Sequence, residues 1–151
     1  MRTIKRDIVG AFIFSSDEKL LLGKSRKGGV YSGHWVVPGG GVDPDETKLD
    51  GLKRELLEET GIDINGADIK QLEDALSGES EKTLKGTGEH VLVKMRFYNF
   101  VIKLPQTSND VSLKTDDDFI DANWFARSEL AALSLSPPTI LTLKKLKLIS
   151  S

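Results

Sequence analysis

The chain of 151 residues contains no cysteine. Disulfide bridges, thiolate nucleophiles and zinc or iron–sulfur sites with cysteine ligands are therefore excluded. The sequence also lacks an apolar run long enough to cross a membrane. Its short apolar segment near the N-terminus follows Asp7 and does not have the length of a signal peptide's apolar region. We therefore expect a cytoplasmic protein that does not insert into membranes.

The chain has little net charge. Its 21 lysines and arginines nearly balance 23 aspartates and glutamates, giving a net charge of -2. This balance provides no general attraction to nucleic acid or to an anionic membrane surface. The hydrophobic fraction of 38% and the 14 glycines are typical of a globular protein. A chain of this length fits one compact core, so we predict a single domain over residues 1–151.

The hydrophobic pattern predicts three short strands, a helix, three further strands and a final helix. The predicted strands cover residues 8–14, 20–22, the segment HWVVPGGG, residues 69–76, the segment HVLVKMRFYNFVI and the segment FIDANWF. The polar segment SGESEKTLKGTGEH is predicted to be a flexible loop. Pro137 and Pro138 are predicted to open the last helix. This order predicts a mixed sheet flanked by helices.

The central helix has predicted end signals. Thr47 and Asp50 suit a capping box, and Gly61 suits the position just past the helix end. The apolar stripe is predicted to consist of Leu49, Leu52 and Leu56. Gly51 lies on the other face, where the missing side chain is expected to let a substrate or a water molecule approach closely.

Three acids crowd the C-terminal end of this predicted helix. Glu55, Glu58 and Glu59 fall within roughly 100° of arc on the helix surface. Carboxylates at this end repel one another and oppose the helix dipole, so the cluster costs stability. Mg²⁺ and Mn²⁺ prefer oxygen ligands, and a bound cation would offset both effects. The alternative is an ordinary solvated acidic helix face, and the spacing alone does not decide between the two.

The residues around the acids complete a longer pattern. From Gly40 to Ile62 the sequence reads G-x5-E-x7-R-E-U-x-E-E-x-G-U, where U is a bulky aliphatic residue. The specified positions are filled by Gly40, Glu46, Arg54, Glu55, Leu56, Glu58, Glu59, Gly61 and Ile62. With every specified position filled, the segment resembles the Nudix box, the defining motif of the Nudix hydrolases.

This resemblance implies an α/β (α+β) fold, an α/β/α sandwich around a mixed sheet. It also implies hydrolysis of a nucleoside diphosphate linked to another group, using Mg²⁺ or Mn²⁺ and an attacking water. By position, Glu55, Glu58 and Glu59 match the metal-binding acids of the family. Gly39 matches the residue whose carbonyl adds a metal ligand, and Arg54 matches the arginine that orients the acids. Glu55 is predicted to act as the general base, with Glu46 as a supporting partner.

Residues outside the box carry weaker predictions. An acid from a downstream loop often contributes in this family, and the candidates are Glu89, Asp116, Asp117 and Asp118. Lys24 and Arg26 follow the second predicted strand, where some relatives contact phosphate, but surface solubility would explain them equally well. Trp35 is a candidate for stacking on a base, with core packing as its alternative.

The substrate stays open at the level of sequence. The leading hypothesis is a nucleoside triphosphate, cleaved in the MutT-like manner. A nucleotide-sugar hydrolase and a catalytically silent nucleotide-binding or regulatory module are the alternatives. Some ADP-ribose and dinucleoside-polyphosphate enzymes carry a proline or tyrosine about sixteen residues past the box, where this chain reads LSGES. The expected partner is a small nucleotide rather than nucleic acid, and homodimers are common in the family.

Overall fold

The computed structural model of the chain describes residues 1–25, 33–72, 76–114 and 119–150. The strands in these ranges are β1 (Arg2–Phe14), β2 (Leu20–Ser25), β3 (Trp35–Val36), β4 (Gly39–Gly41), β5 (Asp68–Gln71), β6 (Leu76–Thr83), β7 (His90–Lys103) and β8 (Phe119–Phe125). The α-helices are α1 (Lys48–Thr60) and α2 (Pro137–Lys145). Short 3₁₀ helices cover Ser108–Asp110 and Arg127–Ala132.

The strands form one mixed sheet around a long parallel pair. Strands β1 and β7 run side by side from the pair Arg2–Val91 to the pair Phe14–Lys103. Strands β2 and β4 pair with β1, and β5 and β6 pair with β7, all antiparallel. Strands β3 and β8 extend the sheet through β2. The parallel pair therefore forms the centre on which the other strands assemble.

The two helices cover opposite faces of this sheet. Successive side chains of a strand alternate between faces, so Val9, Ala11 and Ile13 of β1 pack with α1 while Phe12 packs with α2. Each face has its own cluster of buried apolar residues, and Leu143 of α2 is fully buried in the second. This arrangement confirms the predicted α/β/α sandwich.

Helix α1 has its caps at the predicted residues, and of the predicted capping box the structure shows the hydrogen bond to Thr47. Thr47 caps the helix, since its Oγ1 accepts a hydrogen bond from the backbone N–H of Asp50 at 3.1 Å. Gly61 ends it with a left-handed φ of 76°, and its N–H donates to the carbonyl of Leu57. Pro137 likewise opens α2, as predicted.

The predicted faces of α1 need two corrections. Leu52 and Leu56 are fully buried, but Leu49 is 37% exposed and does not join the stripe. Gly51 does not leave room for a substrate or water, because a methyl group there would lie 3.3 Å from atoms of Val42 and Glu46. The missing side chain instead lets the segment before the helix pack against it.

Strand β6 is the main departure from the predicted element order. The first part of the segment predicted as a flexible loop, from Ser77 to Thr83, pairs with β7 as part of β6. The predicted strand over residues 69–76 is correspondingly shorter, since β5 ends at Gln71. β6 is mostly exposed, so its side chains lack the apolar alternation that marks a half-buried strand. Backbone pairing to β7 holds it, with a cross-strand ion pair of 3.8 Å between Glu79 and Lys94.

The first strand is also longer than predicted. β1 begins at Arg2 rather than at Ile8, because its pairing with β7 continues through an exposed, charged half. No helix within the described ranges has the length and apolarity needed to cross a bilayer, and α1, the longest, has 13 residues. The cytoplasmic location and the single domain stay predictions.

Candidate active site

Strand β4 lies between β1 and α1. Backbone hydrogen bonds to β1 on both sides of Gly40 place it at a bonded position of the ladder. Neighbouring residues of an antiparallel strand direct their polar groups to the opposite edge, so those of Gly39 and Gly41 face α1. Accordingly, the N–H of Gly39 donates to Glu59 at 3.0 Å, and the carbonyl of Gly41 accepts from Arg54 at 3.0 Å. The box residues Arg54 and Glu59 therefore join helix α1 to strand β4.

A close approach of α1 to β4 requires glycine at position 40. A methyl group on Gly40 would lie 2.4 Å from the carboxyl carbon of Glu55, well inside van der Waals contact. The carboxylate of Glu55 therefore rests directly on the strand backbone. Gly40 therefore contributes to the box by leaving space for this carboxylate.

Arg54 is the centre of an ionic network. Its Nε and Nη2 donate to the two carboxylate oxygens of Glu46, at 2.8 and 2.9 Å. Its Nη1 donates to Glu55 at 3.1 Å and to Glu58 at 3.4 Å. A planar guanidinium with donors in a fixed fork suits this bidentate pairing. The network joins Arg54 to Glu46, Glu55 and Glu58, and its role in orienting the acids stays a prediction.

The network changes the titration of its members. The hydrogen bonds from Arg54, followed by one from the backbone N–H of Asp43, lower the pKa of Glu46 from 4.5 to about 2. The hydrogen bonds with Glu46 in turn raise the pKa of Arg54, with a smaller contribution from Glu55. Both side chains therefore stay charged across the physiological pH range.

Acid should selectively weaken the contribution of Glu46 to stability. A carboxyl group whose folded pKa is lowered stabilises the fold above its unfolded pKa, and this stability is lost as pH falls through the folded pKa. The window runs from about pH 4.5 down to about pH 2. We expect Glu46→Gln to be less stable than the wild-type chain at neutral pH, with a difference in unfolding free energy that shrinks across this window.

Urea unfolding at a series of pH values measures this difference. Asp45→Asn, which changes an exposed acid of the same loop, is the matched control and should track the wild-type chain throughout. If plots of unfolding free energy against pH run parallel for the wild type and Glu46→Gln, the stabilising role of the Glu46–Arg54 pair is contradicted.

The structure brings the three predicted metal-binding acids to one end of α1. The side chains of Glu55 and Glu58 are 14% and 56% exposed, and Glu59 is buried at 2%. Among the described residues, no three histidine or acidic side chains are grouped closely enough to hold a metal ion. Glu55 and Glu58 turn toward Arg54, while Glu59 turns toward the N–H of Gly39.

The donor set nevertheless fits a hard divalent cation. All three side chains offer carboxylate oxygens, and the carbonyl of Gly39 lies on the strand edge that faces α1. A cation would compete with Arg54 for Glu55 and Glu58. Their assignment as metal ligands stays a prediction.

An uncharged cavity adjoins the same strand on the α2 side. It has a volume of about 270 Å³, and the glycines Gly39 and Gly40 form part of its wall. The side chains around it include Ile8, Val37, Leu76, Phe97, Asn99 and Thr139. None of the side chains that line it in the described ranges carries a charge. The cavity suits a neutral ring more than a phosphate.

The polar floor of this cavity was not predicted from the sequence. Asn99 is buried, and its Nδ2 donates to Oγ1 of Thr142 on α2 at 3.3 Å. A buried asparagine within the apolar segment HVLVKMRFYNFVI was the available signal, since amides inside a sheet need a partner.

Of the predicted substrate-binding residues, Lys24 and Trp35 are not among the described residues that line this cavity. The Nζ of Lys24 lies 5.7 Å from the ring centroid of Trp35. The Trp35 ring packs edge-on against Phe125, with centroids 4.8 Å apart, as its packing alternative requires. Arg26 lies outside the described residues. Substrate contacts by Lys24, Arg26 and Trp35 stay predictions.

The predicted loop acids are not brought to the site within the described ranges. Glu89 forms a paired contact with Arg2, at 2.9 and 3.1 Å. Arg2 lies six residues before Ile8, where β4 pairs with β1, which is roughly 20 Å along the strand. Asp116, Asp117 and Asp118 lie outside the described residues.

Comparison with known proteins adds relatives in sequence. The family model described as the NUDIX domain matches residues 4–145. A nucleoside triphosphatase NudI from Enterobacter sp. (strain 638) is 28% identical over 138 residues, which cover 91% of this chain and 94% of that protein. An 8-oxo-dGDP phosphatase NUDT18 from Danio rerio is 31% identical over 140 residues, covering 90% of this chain but 36% of that longer protein.

Solved structures share the fold. The Nudix hydrolase RenU from M. smegmatis superposes with a TM-score of 0.69 at 15% identity, covering 95% of this chain and 85% of that one. The E. coli dihydroneopterin triphosphate pyrophosphohydrolase has a TM-score of 0.69 at 18% identity, covering 92% of each chain. Since the family match spans nearly the whole sequence, the chain belongs to the Nudix hydrolases, which in general use divalent metal ions, and is a nucleotide pyrophosphohydrolase.

Proposed function

We propose that the chain hydrolyses nucleoside triphosphates with Mg²⁺ or Mn²⁺. The observation that carries this proposal is the meeting of two environments at β4. Gly39 and Gly40 line the uncharged cavity on one side and contact the acids Glu59 and Glu55 on the other. A substrate with a neutral ring at one end and a phosphate chain at the other matches both. The resemblance to NudI, named a nucleoside triphosphatase, supports the same class.

The chain's own residues divide the work. Glu55, Glu58 and Glu59, with the carbonyl of Gly39, would hold the cation, which when bound neutralises phosphate charge and supports displacement at phosphorus. Arg54 holds the acids in position through its contacts with Glu46, Glu55 and Glu58. Glu55 takes the proton of the attacking water. The cavity fixes the ring so that the phosphate chain reaches the acids.

A substrate panel tests this proposal. The purified chain is incubated with Mg²⁺ or Mn²⁺ and with nucleoside triphosphates, nucleoside diphosphates or nucleotide sugars, and products are separated by ion exchange. Triphosphates are expected to give a monophosphate and pyrophosphate. Reaction in ¹⁸O-labelled water then identifies which phosphorus atom was attacked. A folded chain that turns over no phosphoanhydride would contradict the proposal.

The panel also separates the alternatives. The similarity to NUDT18, named an 8-oxo-dGDP phosphatase, favours a nucleoside diphosphate as the second candidate. Release of orthophosphate from diphosphates but not pyrophosphate from triphosphates would select it. Turnover of nucleotide sugars alone would select a nucleotide-sugar hydrolase. Metal-dependent nucleotide binding without turnover would select a regulatory module.

A further inference from the structure

Arg6 extends over Gly41 of strand β4 on the face of the sheet that carries the cavity. Residues 6 and 8 of β1 point to the same face of the sheet, and Ile8 lines the cavity. Ile8 is also the register partner of Gly41. A methyl group on Gly41 would lie 2.0 Å from Nη2 of Arg6. The guanidinium therefore occupies the space that a side chain at position 41 would fill.

Arg6 and Arg54 both lie beside Gly41, but they differ in their hydrogen bonding. Arg54 donates hydrogen bonds to Glu46, to the acids of α1 and to the carbonyl of Gly41. Arg6 is exposed and makes no hydrogen bond or ion pair with any residue that the structure describes. Of these two cations beside β4, Arg6 is the one whose donors are open.

An open guanidinium at this place has a specific use. A diphosphate adds several negative charges beside Glu55, Glu58 and Glu59, which repel it unless cations intervene. Arginine presents donors in a planar fork that matches phosphate oxygens. Arg6 lies beside Gly41, the residue next to Gly40, and Gly40 both lines the cavity and contacts Glu55.

We propose that Arg6 is a phosphate-binding residue of the active site, contacting the part of the phosphate chain that joins the ring to the cleaved bond. The proposal rests on the proposed function, because it treats the cavity and the acids as parts of one substrate site. A solvated arginine without a ligand is the competing account.

Matched variants separate these accounts. Arg6→Gln removes the charge, and Arg6→Lys keeps it without the planar fork. Arg2→Gln is the control, since Arg2 lies on the same face of the same strand, four residues earlier, and pairs with Glu89. Gly41→Ala leaves Arg6 in the sequence but displaces its guanidinium.

Calorimetry with the full chain and Mg²⁺ measures binding without turnover. The probes are a triphosphate nucleotide with a methylene group between its α and β phosphorus atoms, and the parent nucleoside without phosphate. Arg6→Gln and Gly41→Ala should each weaken binding of the analogue about 10-fold, as expected when a hydrogen-bonded charge is lost. The affinity of Arg6→Lys for the analogue should lie between that of these two variants and that of the wild type. Nucleoside binding should not change, and Arg2→Gln should match the wild type for both probes.

Two results would overturn the proposal. One is an analogue affinity that is equal in Arg6→Gln and Arg2→Gln, and the other is an equal loss of affinity for the nucleoside and the analogue in Arg6→Gln. If the proposed function itself is wrong, the experiments give a different result. Wild-type chain would then bind the analogue with the expected dependence on Arg6 but hydrolyse no natural nucleotide in the substrate panel.

Discussion

Glu59→Gln is expected to lower kcat/KM roughly 10² to 10³-fold, the loss typical when a charged group that stabilises a transition state is removed. The fold should survive the change. Glutamine has the same shape, and its side-chain oxygen still accepts the 3.0 Å hydrogen bond from the N–H of Gly39. The change removes the negative charge and with it the capacity to bind a cation. The position is therefore suited to separating chemistry from structure.

Steady-state kinetics and thermal melting with and without Mg²⁺ measure the two effects. Without metal, the melting temperature of Glu59→Gln should equal or exceed that of the wild type, because a buried charge has been removed. Added Mg²⁺ should stabilise the wild type more than the variant. Glu58→Gln, at an exposed position, should lose activity in the same way.

Glu81→Gln is the matched control. It changes an exposed acid of β6 whose carboxylate lies 3.6 Å from Nε2 of His90, and its activity should equal that of the wild type. If Glu58→Gln and Glu59→Gln are as active as Glu81→Gln, the assignment of the metal ligands is wrong.

Gly40→Ala should lower kcat/KM roughly 10²-fold, the cost of moving a catalytic group by about 1 Å. The added methyl group would lie 2.4 Å from the carboxyl carbon of Glu55, so the carboxylate must swing away from β4. The backbone of Gly40 does not require glycine for its conformation, since its φ is not positive. The loss should therefore appear in activity more than in stability.

Gly78→Ala provides the comparison for this variant. It makes the same change in strand β6, where the new methyl group would have an ordinary contact of 3.4 Å with Phe97. Its kcat/KM should stay within about twofold of the wild type, because the methyl group only touches the edge of the cavity-lining Phe97 and displaces none of the acids. Equal losses in the two variants would show that the placement of Glu55 on β4 does not matter for the reaction.

The local elements of the site were predictable from the sequence, because their signals are local. Thr47 and Gly61 mark the ends of α1 through their own hydrogen bonding and backbone conformation. The spacing of Glu55, Glu58 and Glu59 then places them together, whatever the rest of the chain does. The Nudix box adds the strand of glycines before the helix, since the whole pattern is continuous in sequence.

Errors arose where a distant or preceding segment decides the environment. Helical periodicity placed Leu49 in the apolar stripe, but it is 37% exposed, whereas Leu52 and Leu56 join the buried cluster. Gly51 was assigned to the substrate side, where Val42 and Glu46 pack instead. Strand β6 was missed because its stability comes from backbone pairing with β7, which its exposed side chains do not reveal.

The cavity and Arg6 belong to the same class of unpredictable features. Ile8, Phe97 and Thr139 come from three separate segments, and only the sheet order brings them around one space. The contact between Arg6 and Gly41 likewise depends on the pairing of β1 with β4. A motif written as a continuous string cannot contain such contacts.

The central parallel pair has a consequence for how the chain folds. Every pair of partners in β1 and β7 is separated by about 89 residues in sequence, so the centre of the sheet closes a long loop. Loop closure of this kind costs chain entropy before it gains contacts, and such topologies fold slowly, roughly in milliseconds to seconds. Strand β4 rests on β1, and β1 depends on β7. We therefore expect α1 to form early in folding, while the acids acquire their catalytic arrangement only after the two distant strands have met.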